Sequence, residues 1–247
     1  MCTLSFIPTA DGYLAGMNRD ELLTRPVARP PERLTLAGMQ VIQPSEPSGG
    51  TWIACNSRGV LLALLNRNGL DGNVLSAKTA SRGVVIPQLI WQSDSAAAHT
   101  RLGQMRLEGL LPFRLIGVFP EEAAVVEWRW DGNCPERSAY TWKRQHWFSS
   151  SLSDASAGER RGRAFAEAAK VPDAGSQRWL RALHKSHVPV AGAYSICVHR
   201  PDAATVSYTE VYSVGDQTSM DYFPGSPCRH RSLADDDTML VTGPPTE

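Results

Sequence analysis

Short apolar runs separated by turn-forming residues dominate the chain and predict strands joined in hairpins. The first strand covers Cys2 to Ile7, with Asp11-Gly12 as a tight turn and a return strand over about Tyr13 to Arg19. Residues 24–48 are rich in proline and glycine with little periodicity, which predicts a long exposed excursion. A second hairpin follows Gly49-Gly50-Thr51-Trp52: a strand to Cys55, a turn at Asn56-Ser57-Arg58-Gly59, and a buried run from Val60 to Leu65 that ends at Asn66-Arg67-Asn68-Gly69.

Two helical pairs interrupt the strands. Residues 81–91 are mostly apolar but broken by Pro87, while 94–108 start at a capping Asp94 and carry Ala98, Leu102 and Met105 on one stripe. The second pair covers about 157–170 and 176–186. Between and after these pairs, strands are expected at Phe113 to Phe119, Val125 to Trp130, Tyr140 to Ser149, Tyr194 to His199 and Thr205 to Val214. About eight strands in hairpins need cover on one face. Two antiparallel sheets packed together, each with a helix pair outside, supply it, so the expected class is α+β, a four-layer α-β-β-α sandwich. With no internal repeat and no clean linker, residues 1–247 read as one domain. About 228–247, including Asp235-Asp236-Asp237 and Gly243-Pro244-Pro245, read as a C-terminal tail.

Charge narrows the partners. Lys plus Arg and Asp plus Glu are 25 each, so the net charge is +0. That balance argues against nucleic-acid and polybasic membrane-surface binding. No apolar run approaches the roughly 20 residues of a membrane span, and the start lacks a signal peptide's positive region. The expectation is a cytoplasmic protein with no integral membrane segment; the sequence leaves its oligomeric state open.

The five cysteines, Cys2, Cys55, Cys134, Cys197 and Cys228, are scattered and form no Cys-x-x-Cys pair, so neither a disulfide framework nor a zinc site is expected. His184 and His187 lie three apart on a helix but lack a recognisable third ligand, so no metal site is assigned. Cys2 differs from the other cysteines. Removal of the initiator Met would give it a free α-amine beside its thiol, a base and a nucleophile in one residue. A two-residue turn at Asp11-Gly12 places Glu21 opposite Cys2, with Arg19 diagonal on the same face. A turn one residue earlier places Arg19 directly opposite. A three-residue loop would instead present Asn18 and Asp20. An arginine beside the thiol favours the thiolate, and a carboxylate can orient the arginine or the amine.

Met1-Cys2-Thr3, Asn18-Arg19-Asp20-Glu21, Gly49-Gly50-Thr51-Trp52 and Asn66 after an apolar strand, in that order, resemble the NRDE family, whose eukaryotic members are called transport and Golgi organisation protein 2. Ser81-Arg82-Gly83 and Trp147-Phe148-Ser149-Ser150-Ser151-Leu152 add to the likeness, which covers most of residues 1–152. That family resembles N-terminal-nucleophile hydrolases of the cholylglycine and penicillin acylase kind. The resemblance implies Cys2 as the nucleophile and its α-amine as the base, with a supporting Arg and Asp on the next strand. Glu21 falls at the acylase Asp, whereas Asn18 stands where the acylases have Arg, and Arg19 is displaced by one. Asn66 is the candidate oxyanion donor. The candidate catalytic set is therefore Cys2, Arg19, Asp20, Glu21 and Asn66, with Asn18, Trp52 and Asn68 as substrate contacts. The implied reaction is hydrolysis of an amide or thioester of a small acyl substrate, with no required cofactor. The alternative implied by the same likeness is non-catalytic carriage of haem or lipid, with haem as cargo. Either way the ligand is a small apolar or amphipathic molecule.

Overall fold

A computed structural model of the chain describes residues 2–68, 80–230 and 239–242. Two antiparallel sheets lie face to face. One has the order β10-β1-β2-β11-β12-β13, the other β3-β4-β5-β6-β7-β8-β9. The strands run from β1 (Cys2–Thr9), β2 (Gly12–Leu22), β3 (Arg29–Leu36) and β4 (Met39–Ser45) to β5 (Ile53–Asn56) and β6 (Leu61–Asn66). Then come β7 (Phe113–Phe119), β8 (Ala124–Trp130), β9 (Pro135–Tyr140) and β10 (Gln145–Ser149), and finally β11 (Ala203–Val214), β12 (Gln217–Pro224) and β13 (Met239–Thr242). The α-helices of the described residues are α1 (Ser95–Gly103), α2 (Asp154–Ala168) and α3 (Gln177–His184).

The two-residue period of the strands sorts the core into layers. Leu4, Phe6, Met17, Ile53, Leu61 and Leu65 point between the sheets. Ile7 and Leu14 point the other way, against Trp179, Leu180 and Leu183 of α3. On the far side Leu62, Ile86 and Trp128 pack with Leu102 of α1. Because β6 is covered on both faces, its run of leucines shows no alternation. The four layers are those expected, but the two outer ones are unequal. Where a first helical pair is expected, only α1 is an α-helix; Arg82–Val84 and Ile86–Gln88 are short 3-10 turns, because Pro87 has no amide hydrogen to continue a helix.

Four other expectations are corrected. Residues 24–48 contain a hairpin, β3–β4, rather than an excursion. Its turn at Ala37-Gly38 has both φ angles positive, 49° and 84°, the geometry that suits the twist of a two-residue hairpin. Pro30 and Pro31 lie on the edge strand, where a missing donor is tolerated, at a register shift between Arg29 and Glu32. The stretch from Tyr140 to Ser149 leaves one sheet and enters the other: β9 ends at Tyr140, and β10 pairs with β1. Residues 194–199 form isolated bridges only. Finally, β12 was not anticipated, and β13 pairs with it inside the expected tail; Asp235-Asp236-Asp237 and Gly243-Pro244-Pro245 lie outside the described residues. No helix of the described residues is long and apolar enough to cross a membrane.

Candidate active site

The β1–β2 register decides what faces Cys2. The strands pair Thr9 with Gly12 and Cys2 with Arg19, so the turn is Ala10-Asp11, one residue earlier than Asp11-Gly12, and Glu21 is not the opposing residue. Gly12 belongs to the strand because β11 crosses it closely. A Cβ there would meet the Ser213 carbonyl oxygen at 2.0 Å.

Alternation then divides the tetrad between two faces. Arg19 and Cys2 point between the sheets and are only 5% and 6% exposed. Asn18 and Asp20 point toward the helices. The Asn18 amide donates to the carbonyls of His184 and Ile196, both at 2.9 Å, so Asn18 ties β2 to α3 and to the 194–199 loop and does not line the cavity. Asp20 accepts a hydrogen bond from Thr205 Oγ1 at 2.7 Å and pairs with Arg161 of α2 at 3.5 Å, both side chains fully buried. Thr205 reaches it because β11 shifts register between Thr205 and Ser207. Arg161 also donates to Thr3 Oγ1 at 2.8 Å and the Cys2 carbonyl at 3.4 Å, which fixes β1 from behind. The Cys2 backbone nitrogen donates to Ser149 Oγ at 2.9 Å.

In front of the thiol lies a cavity of about 110 Å³ whose walls include Cys2, Arg19, Glu21, Trp52, Asn66 and Arg82. All five candidate catalytic residues line this cavity, Asp20 with its carboxylate turned to Thr205 and Arg161. Arg19 lies over the Trp52 ring and donates to Glu46 at 2.7 Å; Arg25 donates to the same Glu46 oxygen at 2.7 Å. Glu21 lies 3.5 Å from Arg19 and 3.6 Å from Arg25, so it acts as a counter-ion at the rim. Asn66 ends β6 on the wall. Asn68 is turned away: its backbone amide donates to Asp154 at 2.7 Å, at the start of α2.

Two glycine motifs explain one another. A Cβ on Gly83 would sit 2.9 Å from the Gly50 Cα, and one on Gly50 would sit 3.1 Å from the Gly83 Cα. Only this backbone-on-backbone contact allows Thr51 to donate to the Gly83 carbonyl at 3.1 Å. It carries Arg82 to the cavity, where the guanidinium also holds the Pro112 carbonyl at 3.1 Å. Among the described residues Arg82 forms no ion pair with a carboxylate.

Burial is the largest influence on the Cys2 thiol and pushes its pKa up; Asp20 adds to this, while Arg19 and the Asp20 backbone amide oppose it. With Met1 in place the thiol is therefore held neutral and needs a base. Burial also raises the Asp20 carboxyl, against the pull of Arg161.

Ser149, Glu46, Arg82, Arg161 and Thr205 were not anticipated. Ser149 and Arg82 were visible as members of the Trp147–Leu152 and Ser81-Arg82-Gly83 stretches, though without a role. Glu46, Arg161 and Thr205 carry no local signal, because only the tertiary fold brings them to β1 and β2.

Among solved structures, the chain is similar to penicillin V acylase from Agrobacterium tumefaciens, with 9% identity and a TM-score of 0.45 over 90% of this chain and 82% of that one. It is also similar to a mutant conjugated bile acid hydrolase from Clostridium perfringens, with 8% identity and a TM-score of 0.49 over 99% of this chain and 97% of that one. No curated protein sequence matches significantly. The family model described as Transport and Golgi organisation 2 matches residues 1–190, well over half of the sequence and beyond the last motif legible by eye, and the chain belongs to that family.

Proposed function

We propose that the protein is an N-terminal cysteine hydrolase that cleaves an amide or thioester of an amphipathic acyl substrate carrying an anionic group. The observation that carries this reading is the environment of Cys2. Its nitrogen is held by Ser149 Oγ, its thiol faces Arg19, and Asn66 and Arg82 stand on the same cavity wall.

Removal of Met1 turns the Cys2 nitrogen into an amine that stays within reach of Ser149 Oγ. That amine takes the thiol proton, and the thiolate, favoured by Arg19, attacks the substrate carbonyl. Negative charge moves to the carbonyl oxygen, where the Asn66 amide supplies a donor of roughly 3 kcal/mol to the barrier. The protonated amine gives its proton to the leaving nitrogen (or sulfur) as the tetrahedral adduct collapses to an acyl thioester on Cys2. Water, deprotonated by the same amine, then releases the acid and restores the thiol.

The substrate class follows from the walls. Cavities of about 460 Å³ and 420 Å³ adjoin the Cys2 cavity and share Arg25 with it; the first also shares Arg82, the second Arg19 and Glu21. Leu22, Val27 and Ala28 line the second, so an acyl chain would lie there with its anionic end at Arg25 or Arg82. The test is incubation with a panel of N-acyl amides, with and without a terminal carboxylate, followed by mass analysis of Cys2. An acyl adduct and turnover, both lost in Cys2→Ser and stronger for the anionic members, are expected. Turnover that survives Cys2→Ser would overturn the proposal.

The same amphipathic cleft supports haem carriage as a second reading, with arginines on the propionates and Leu22 and Val27 against the ring. Haem binding at micromolar protein that is unchanged in Cys2→Ser, with no acyl adduct from any probe, would favour the carrier.

A further inference from the structure

Behind the Asp20 side of β2, four side chains from three separate segments converge. His187 follows α3, Cys197 and His199 precede β11, and Cys228 lies in the 3-10 turn Pro227–Arg229 after β12. Their ligand atoms all lie within 4.8 Å of one another. His199 Nε2 is 3.1 Å from His187 Nε2, 3.4 Å from Cys228 Sγ and 3.6 Å from Cys197 Sγ.

A single imidazole nitrogen carries one hydrogen or one lone pair, so it cannot satisfy three such neighbours by hydrogen bonding. A shared cation can. Zinc with bonds of about 2.0–2.3 Å to nitrogen and sulfur spaces tetrahedral ligands roughly 3.3–3.8 Å apart, and the His199 contacts fall at or near that range. Two thiolates with two imidazoles in a tetrahedral set favour zinc over harder or square-planar metals.

We infer that His187, Cys197, His199 and Cys228 form a structural zinc site. Four protein ligands leave no open position for substrate, so the ion would act by tying the loop after α3, the loop before β11 and the turn after β12 into one unit. That unit reaches the active-site region in two ways: His199 itself lines the cavity of about 420 Å³, and Thr205 links the unit to Asp20. Val198, between two ligands, donates its amide to Thr205 Oγ1 at 2.8 Å, and Thr205 donates to Asp20. The ligands come from distant parts of the sequence without any Cys-x-x-Cys pair, which is why the cysteine spacing alone argues against zinc. His184 is separate: it is buried and bonds Ser5 Oγ at 2.8 Å, so it does not share a metal face with His187.

The test is metal analysis of the full-length protein dialysed against zinc and then desalted. About one zinc per chain is expected, falling to background in His187→Ala and Cys228→Ser but not in Cys134→Ser, whose cysteine is exposed and distant from the cluster. Wild-type protein holding under about 0.1 zinc per chain, or equal zinc in the cluster variants, would overturn the inference. Should the variants fail to fold, cobalt titration of the wild type decides. Intense tetrahedral bands with thiolate charge transfer, displaced by zinc, support the site, and weak octahedral bands refute it.

Discussion

The Arg19 guanidinium lies 4.4 Å from the centre of the Trp52 ring while donating to Glu46 at 2.7 Å. The ring and the carboxylate hold the charge still, directly across β1–β2 from Cys2. Arg19→Gln removes a positive charge that favours the thiolate, so the Cys2 alkylation profile should move to higher pH and the neutral-pH rate should fall about tenfold. Trp52→Leu should give a smaller, several-fold loss, as expected for a cation–π contact of about 1 kcal/mol. Iodoacetamide labelling followed across pH measures both; an unchanged profile in Arg19→Gln would remove Arg19 from the account.

The Gly50–Gly83 contact predicts opposite outcomes for two glycine substitutions. Gly83→Ala must force the backbones apart, costing about 1–3 kcal/mol and displacing Arg82 from the cavity. Gly103→Ala, at the end of α1 with nothing within 4 Å of a new Cβ, should be neutral or stabilise by up to about 1 kcal/mol. Urea unfolding tests both, and the Gly83 variant should also lose turnover of anionic substrates.

The pair between Asp20 and Arg161 is fully buried, so removing either partner leaves an uncompensated charge. Asp20→Ala should cost about 3–5 kcal/mol, and Asp20→Leu combined with Arg161→Met should recover much of that loss. If the double variant is as unstable as the single one, the pair is not the source of the cost.

Acid should destabilise the fold through His184. Burial holds its pKa down to about 3, with the neighbouring His146 lowering it further, and burial holds His146 itself down to about 3. The folded value lies below the ordinary 6.5, so the unfolded chain takes up the proton first. Stability is then complete above pH 6.5 and falls as pH drops from about 6.5 toward 3, by roughly 1.4 kcal/mol per pH unit for His184. Unfolding curves at stepped pH should show this slope, His184→Gln should reduce it, and replacing His146 as well should flatten it.

The layering, the first hairpin and the grouping of Arg19, Glu21 and Asn66 around Cys2 were legible in the sequence, because hairpin strands carry their periodicity and turns locally. The Cys2–Arg19 register was left among three turns and is decided by a distant strand, since β11 leaves no room for a side chain at Gly12. The β3–β4 hairpin was hidden by Pro30 and Pro31, which look like loop residues unless the strand is known to be an edge. Asn18 looked like a site residue by adjacency, yet alternation turns it to the helices. The supporting residues Glu46, Arg161 and Thr205, and the His187–Cys228 cluster, arise from long-range packing that no local spacing records.

Whether Met1 is removed bears on the central claim most directly, because the Cys2 nitrogen must be an amine to act as the base. Intact-mass measurement of hydrolytically active protein, with and without an acyl-amide probe, should show a chain that begins at Cys2 and gains the acyl mass on that residue. An active protein that retains Met1 would contradict the account.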